Sequence, residues 1–332
     1  MGGAIGDSLG NPAEQLSAEQ LAASPVTFDS IDPAQFRITD DTQMTLFTAE
    51  GFRKFREEQD VLELLYAYHR WLTTQGSSPA TGDATVYADR SDEEVRTILS
   101  DGSLVHEEVL NRKEGPGATC LEALATGEFY SPAANPNDSK GCGGVMRAAP
   151  IGLLAGSREE AYRFGKLSAA LTHGHPTGYI AAGAFAVLIH GLSRGESLGE
   201  LQSAAVALIR EKEGEAAEET ARATENAASL AASLSGQPSA AEVARLGEGW
   251  VAEETLAIAL FCALAHPEDP RAALELAVNH GGDSDSTASL CGNLLGAKLG
   301  AAALGRHSLY EQVNAKAVIE RTTDEALKGD PA

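Results

Sequence analysis

Apolar residues recur at three- and four-residue intervals through most of this chain. Residues 61–74 (VLELLYAYHRWLTT) carry the pattern clearly, and 158–172, 177–192, 198–211, 215–233 and 253–265 repeat it. That period places the apolar positions on one helical face, so each segment is expected to be an amphipathic or buried helix. The alternation of period two that marks half-buried strands, bounded by turn pairs, is missing. Residues 76–83 and 131–144 (SPAANPNDSKGCGG) are rich in Gly, Ser and Pro and read as loops. Residues 211–239 are rich in Ala and Glu, which suggests a solvated helical pair or a surface insertion. No internal repeat and no convincing linker divides the chain, so an all-α, compact, single domain over 1–332 is expected.

Two glycine series refine the architecture. Gly2, Gly6 and Gly10 recur every four residues, as do Ala288, Gly292, Gly296 and Gly300. On helices each series makes a smooth stripe that lets another backbone approach closely. Terminal helices packed against each other in the core would offset the helix penalty of glycine; the alternative is that these glycines mark turns.

Composition narrows the function classes. The 332 residues are 43% hydrophobic and carry a formal net charge of −23. Such a charge repels a nucleic-acid backbone, yet it permits a small anion held by metal and backbone N–H groups. The four cysteines, Cys120, Cys142, Cys262 and Cys291, form no CxxC pair and suit buried or semi-buried thiols of a reducing compartment. With no apolar run of spanning length and no signal-like start, a cytoplasmic protein without a membrane partner is expected.

The candidate chemistry lies in two acidic clusters: Thr39, Asp40, Asp41 and Thr42, and far downstream Gly281, Gly282, Asp283, Ser284, Asp285, Ser286 and Thr287. Neither contains His or Cys. Oxygen-only donors suit hard divalent cations, Mg²⁺ or Mn²⁺ before Zn²⁺. Converging carboxylates repel, and bound cations would relieve that repulsion. Asp283 and Asp285 would diverge within a regular helix, so they share a cation only from a loop or a helix start. Plain N-capping is the simpler explanation for each cluster, although it uses one carboxylate and leaves the second over.

Five motifs stand in order along the chain. Gly3-Ala4-Ile5-Gly6-Asp7-Ser8-Leu9-Gly10, followed by Glu14, comes first, then Thr39-Asp40-Asp41-Thr42-Gln43-Met44. Next are Asn137-Asp138-Ser139-Lys140-Gly141-Cys142-Gly143-Gly144-Val145-Met146-Arg147 and Leu171-Thr172-His173-Gly174-His175-Pro176-Thr177-Gly178-Tyr179. Gly281 to Thr287 closes the series. In this order they resemble the ADP-ribosylglycohydrolase family, over nearly the whole chain. The resemblance implies a compact orthogonal bundle of helices with two Mg²⁺ (or Mn²⁺) ions. It also implies hydrolysis of the glycosidic bond at C1″ of ADP-ribose attached to a protein side chain, such as arginine or serine, or to another acceptor. ADP-ribose would be the product. Small-molecule and nucleic-acid-linked ADP-ribose remain open as substrates.

Carried over residue by residue, the resemblance makes Thr39, Asp40 and Asp41 one set of metal ligands. Asp283, Asp285 and Ser286 make the other, with Ser286 where Thr is usual. Glu14 would lie near the metals and the distal ribose; Glu14, Asp40 and Asp41 are the candidate bases. Asp7 would orient its neighbours. Ser139, Lys140, Gly141, Gly143 and Gly144 would cradle the diphosphate, with a helix starting near Val145 turning its positive end toward it. Lys140 could equally be an exposed lysine. His173 would approach the adenosine, or else be a satisfied core histidine; His173 and His175 lack a third zinc ligand at suitable spacing. Arg147 is expected in a buried ion pair. Gly115 stands where members acting on nitrogenase reductase carry an Asp. Two other classes stay in view: a non-catalytic ADP-ribose-binding or structural, crystallin-like relative, and a phosphohydrolase using the same metals.

Overall fold

The computed structural model describes residues 1–300, 303 and 308–328; the single-domain expectation for 1–332 extends over positions outside these. The first third holds α1 (Gly2–Gly10), α2 (Ala18–Ala23), α3 (Asp40–Glu58), α4 (Leu62–Thr74), α5 (Asp92–Ser100) and α6 (Ala118–Ala125). The middle holds α7 (Ala149–Leu154), α8 (Arg158–Ala170), α9 (Pro176–Leu192), α10 (Leu198–Glu213), α11 (Glu218–Ala232) and α12 (Ala240–Val243). Then follow α13 (Ala252–Ala265), α14 (Pro270–Val278), α15 (Ser284–Leu299) and α16 (Lys316–Leu327). Among the described residues there are only isolated β-bridges, one of them joining Gly141 to Val251. The fold is therefore all-α, a single compact helical domain.

Local chemistry sets the helix bounds. Ser17 and Ser91 start α2 and α5 with capping boxes, each Ser accepting from the backbone of the third helical residue while that residue's side chain bonds back. Ser157 and Ser197 cap α8 and α10 in the simpler way. Gly214 and Gly300 end α10 and α15 with φ of 58° and 75°, which glycine adopts without a Cβ clash. Helix α9 is buried on every side over 177–192 and α13 nearly so, which fits sequences apolar all round. These two form the centre against which α8, α10, α11 and α15 pack. Helices α10 and α11 bury Leu201, Val206, Ile209, Ala221, Ala227 and Leu230. They are thus part of the core layer with a charged outer face, not an insertion.

The glycine stripes do what their spacing predicts. Helix α1 lies directly on α15. A Cβ on Gly6 would sit 2.0 Å from the Ala288 carbonyl oxygen, and one on Gly10 2.3 Å from that of Ser284. From the other side, a Cβ on Gly292 would meet the Gly2 carbonyl oxygen at 2.1 Å. Gly300 is the exception: it belongs to the helix stop and has open space around it. Close backbone packing of α1 on α15 brings the N-terminal motif beside the distal acidic cluster.

Candidate active site

Both acidic clusters are helix starts, and the fold sets them face to face. Thr39 caps α3, its Oγ1 accepting from Asp41 N–H at 3.2 Å. Asp283 caps α15, its Oδ1 accepting from Ser286 N–H at 3.3 Å, a donor shared with Asp285 Oδ1 at 3.0 Å. Across 245 residues of chain, Ser286 Oγ donates to Asp41 Oδ2 at 3.2 Å. Asp7, on the α1 face against α15, accepts from Thr39 N–H at 3.0 Å, from Thr42 N–H at 3.2 Å and from Thr42 Oγ1. It holds the start of α3 in place, the orienting part expected of it. Glu14 is half-buried just beyond α1 and feels the charge of Asp285.

Asp7, Asp40, Asp41, Asp283 and Asp285 are all buried. Burial pushes the Asp40, Asp41 and Asp283 carboxyls well above the carboxylate range, and the Asp285 charge adds to it. The same two causes raise Asp7 to about 7. Capping accounts for one oxygen of Asp283 and leaves Oδ2 with no hydrogen-bond partner; Asp41 Oδ1 is likewise unpartnered. Two buried, orphaned carboxylate oxygens in an all-oxygen donor set fit a hard divalent cation. Among the described residues, no three His, Cys, Asp or Glu side chains converge into a finished cation cage. Like charges without a counter-ion keep their distance, so cation binding would draw these side chains together.

The second wall is loop 139–144. Asn137 pins it: Oδ1 accepts from Ser139 N–H at 3.0 Å and Gly174 N–H at 3.2 Å, while Nδ2 donates to the Thr172 carbonyl at 2.9 Å. Its glycines serve internal packing. A Cβ on Gly143 would lie 2.9 Å from Cys120 Sγ, and one on Gly144 2.7 Å from the Ala169 Cβ. No α-helix starts at Val145; a single 3₁₀ turn, Cys142–Gly144, leads through further turns to α7, whose Pro150 suits a helix start. Lys140 points to Glu219 and Glu253, its Nζ 2.6 Å from Glu219 Oε1. His173 lies buried beneath the loop, Nδ1 2.8 Å from Thr172 Oγ1, and burial with the nearby Arg147 charge lowers it to about 3. His175 caps α9, its Nδ1 accepting from Thr177 N–H. The two histidines thus do separate work.

Arg147 is not in an ion pair. Nη2 donates to the Ser168 carbonyl and Thr172 Oγ1, each at 2.7 Å, and the guanidinium stacks over Tyr68 at 4.2 Å. Neutral partners and a ring face engage Nη1, Nη2 and the guanidinium plane without a carboxylate, while the buried Nε has no hydrogen-bond partner. Gly115 does stand beside the acidic cluster. Its φ is 73°, and a Cβ there would lie 3.8 Å from Asp40 Oδ1. The same segment gives the Glu114 carbonyl to Asp40 N–H and the Gly117 N–H to Asp40 Oδ2, at 2.9 and 3.2 Å.

One element escaped the sequence reading. Residues 248–252 bridge the two walls: the Glu248 carbonyl accepts from Asp283 N–H at 2.8 Å and the Trp250 carbonyl from Cys142 N–H at 3.2 Å. Gly247 and Gly249 make this possible with φ of 119° and 87°. The G-x-G before an apolar helix was its only signal in the sequence.

An uncharacterised protein of Archaeoglobus fulgidus is 28% identical over 90% of this chain and 85% of its own length. ADP-ribosylhydrolase ARH3 of mouse is 31% identical over 52% of this chain and 54% of its own, and the human protein 31% over 50% and 52%. The chain thus spans about half the length of these mammalian relatives. A solved structure named as an ADP-ribosylglycohydrolase-related protein complex superposes with a TM-score of 0.61, covering 98% of this chain and 95% of that one at 21% identity, a likeness of fold. The ADP-ribosylglycohydrolase family model matches residues 1–331, and the chain belongs to that family of hydrolases.

Proposed function

We propose that the chain is a divalent-cation-dependent hydrolase that cleaves the N- or O-glycosidic bond at C1″ of ADP-ribose linked to a protein side chain or another acceptor. The observation that carries this reading is the buried carboxylate cluster with Asp41 Oδ1 and Asp283 Oδ2 unpartnered, in a member of this family. Thr39, Asp40, Asp41, Asp283, Asp285 and Ser286 would hold two Mg²⁺ or Mn²⁺ ions. Bound there, the ions would supply charge stabilisation and a fixed anchor for ribose hydroxyls.

The chain's own groups do the rest. Glu14, half-buried and raised by burial and the Asp285 charge, would take the proton of the water that adds to C1″. Asp40 and Asp41 are the other candidate bases. The acceptor leaves with a proton, and ADP-ribose is released. Asp7 keeps the α3 start rigid, which preserves the geometry of attack. Loop 139–144 would be the wall for the diphosphate; its Ser139, Gly141 and Cys142 N–H groups are held by Asn137, Ser139 and Trp250, which keeps the loop ordered.

The test is incubation of the protein with arginine-linked and serine-linked ADP-ribosyl peptides, with and without Mg²⁺, reading free ADP-ribose. Release that depends on Mg²⁺ is expected. Tight ADP-ribose binding with no release from any peptide or nucleic acid would leave the non-catalytic binder instead, and release of inorganic phosphate would point to a phosphohydrolase.

A further inference from the structure

The segment that bridges the two walls lies outside any helix or strand at residues 247–250, and side chains of the helix that follows hold it. Gly247 and Gly249 take φ of 119° and 87°, conformations that leave such a segment many alternatives unless something pins it. Glu254, in the first turn of α13, reaches back to do so: its Oε2 accepts from Glu248 N–H at 3.0 Å and from Gly249 N–H at 3.2 Å. A Cβ on Gly247 would sit 2.2 Å from the Glu254 Cδ, so the glycine leaves the room that this carboxylate fills. The buried Thr255 adds a second latch, its Oγ1 donating at 2.6 Å to the Gly249 carbonyl. Held in this way, the segment serves both walls with its backbone. The Glu248 carbonyl takes Asp283 N–H, the Trp250 carbonyl takes Cys142 N–H, and Ala252 N–H donates to the Lys140 carbonyl at 2.9 Å. The fit has no slack: a Cβ on Gly282 would lie 1.9 Å from the Glu248 carbonyl oxygen, and one on Gly249 2.7 Å from Thr287 Cγ2. One carboxylate outside both acidic clusters thus fixes the segment from which the α15 start and loop 139–144 are hung.

We propose that Glu254 is a positioning residue for the hydrolytic site: by fixing Glu248 and Gly249 it sets the Asp283 start of α15 and loop 139–144 in one register, and so governs cation and ADP-ribose binding together. This rests on the function proposed above for the two walls. Glu254 belongs to neither wall and acts through backbone alone. A carboxylate that accepts two backbone N–H groups makes charge-assisted bonds, and its removal leaves both donors without that partner. The freed segment would carry the Glu248 and Trp250 carbonyls with it. Backbones packed as tightly as Gly282 on Glu248 transmit such a shift and do not absorb it. Because one residue holds both walls, its loss should weaken both bindings and not one of them.

The experiment compares the full-length wild type with Glu254→Ala, Glu254→Gln and, as a control, Ser197→Ala, which removes the cap of α10 away from both walls. Amide hydrogen exchange without added cation reads the clamp itself. The Cys142 and Asp283 amides should exchange about tenfold or more faster in Glu254→Ala. They should stay within about threefold of wild type in Ser197→Ala, and in Glu254→Gln, whose amide oxygen still accepts both N–H groups. Melting against Mg²⁺ and calorimetry of ADP-ribose at saturating Mg²⁺ read the consequence. Both Kd values should rise about tenfold in Glu254→Ala and return in Glu254→Gln, while Ser197→Ala lowers the melting temperature and leaves both unchanged. Unchanged exchange at the two amides overturns the proposal, as does faster exchange with both affinities intact or an equal loss in the Ala and Gln variants. Should Glu254→Ala fail to fold, Glu254→Asp, one methylene short of the two N–H groups, takes its place with the same readings. Wild-type melting indifferent to Mg²⁺, with the exchange pattern as expected, would keep Glu254 as the clamp of the two walls and sink the hydrolytic reading instead.

Discussion

The two walls of the site treat charge in opposite ways. On the helix-start wall, Asp40, Asp41 and Asp283 are buried, and the charges acting on them are those of other carboxylates, Asp285 foremost. On the loop wall, the one lysine is already engaged by two glutamates, Glu219 and Glu253. The first wall gathers buried carboxyls with no positive partner, which a bound cation, as proposed, would balance. The second has spent its cation internally, so an incoming diphosphate must rely on backbone N–H groups or draw Lys140 away from its partners. On the proposed function, an anionic substrate would enter such a site only once the acidic wall is neutralised, which would couple cation binding to ligand binding.

The largest expected effect follows from breaking the acidic wall. Asp283→Ala removes the cap on Ser286 N–H and a proposed ligand oxygen together. Turnover should fall to background. The Mg²⁺ stabilisation of about 2.7 kcal/mol expected at 100 times Kd should vanish from the melting curve. Unchanged turnover would reject the assignment. Glu14→Gln comes next: turnover should drop by about 10²-fold or more, while ADP-ribose affinity by calorimetry stays within about tenfold. Equal losses in both would make Glu14 a gate for the ligand and not a base.

The walls should also differ in their pH response. His173 beneath the loop is neutral in the folded protein, lowered to about 3 from 6.5. Between those values the unfolded chain binds the proton and the folded one does not, so its stabilising contribution, complete above about 6.5, is lost as pH falls toward 3. Asp7, raised to about 7, has the reverse sign: its contribution favours the fold at low pH and fades as pH rises from 3.8 toward 7. Denaturation in urea at successive pH values, for wild type and His173→Gln, isolates the loop wall. The variant should lose up to one proton of linkage, about 1.4 kcal/mol per pH unit. Identical slopes would show that His173 does not govern it.

How much of this was legible in the sequence depends on the range of the interaction. The helices follow from periodicity, because a buried face repeats every turn; the expected helix over 177–192 is α9 with one added residue, Pro176. The α1–α15 contact was legible from Gly6, Gly10 and Gly292, since only close backbone approach repays such spacing. The acidic clusters were legible as residues, and the resemblance said that they meet. Arg147 was misread because a buried arginine can be held by a carbonyl, a hydroxyl and a tyrosine face in place of a carboxylate. The helix expected from Val145 does not form; the 3₁₀ turn Cys142–Gly144 precedes it, and periodicity does not resolve single turns. The tie between loop 139–144 and the α15 start was not legible at all. It is made by the Glu248 and Trp250 carbonyls, and backbone bonds leave no residue signature.

The smallest expected effect is also the one that sharpens the contrast between the walls most. Lys140 lies in the loop assigned to the diphosphate, yet its ammonium is shared by Glu219 and Glu253, and Glu219 also accepts from Thr177 Oγ1 at 2.5 Å. Glu253 is buried with Oε2 unpartnered, so removing Lys140 would leave an uncompensated carboxylate there. If Lys140 stays with its glutamates when ligand binds, Lys140→Met should lower the melting temperature while ADP-ribose affinity at saturating Mg²⁺ changes by no more than about threefold, the scale of an exposed charge pair. If it swings to the diphosphate, affinity should fall by tenfold or more, as for a lost charge-assisted hydrogen bond. Salt separates the cases further. An ammonium on the diphosphate makes ADP-ribose binding weaken with ionic strength in the wild type and less so in Lys140→Met, whereas a lysine held by Glu219 and Glu253 gives parallel salt curves for both.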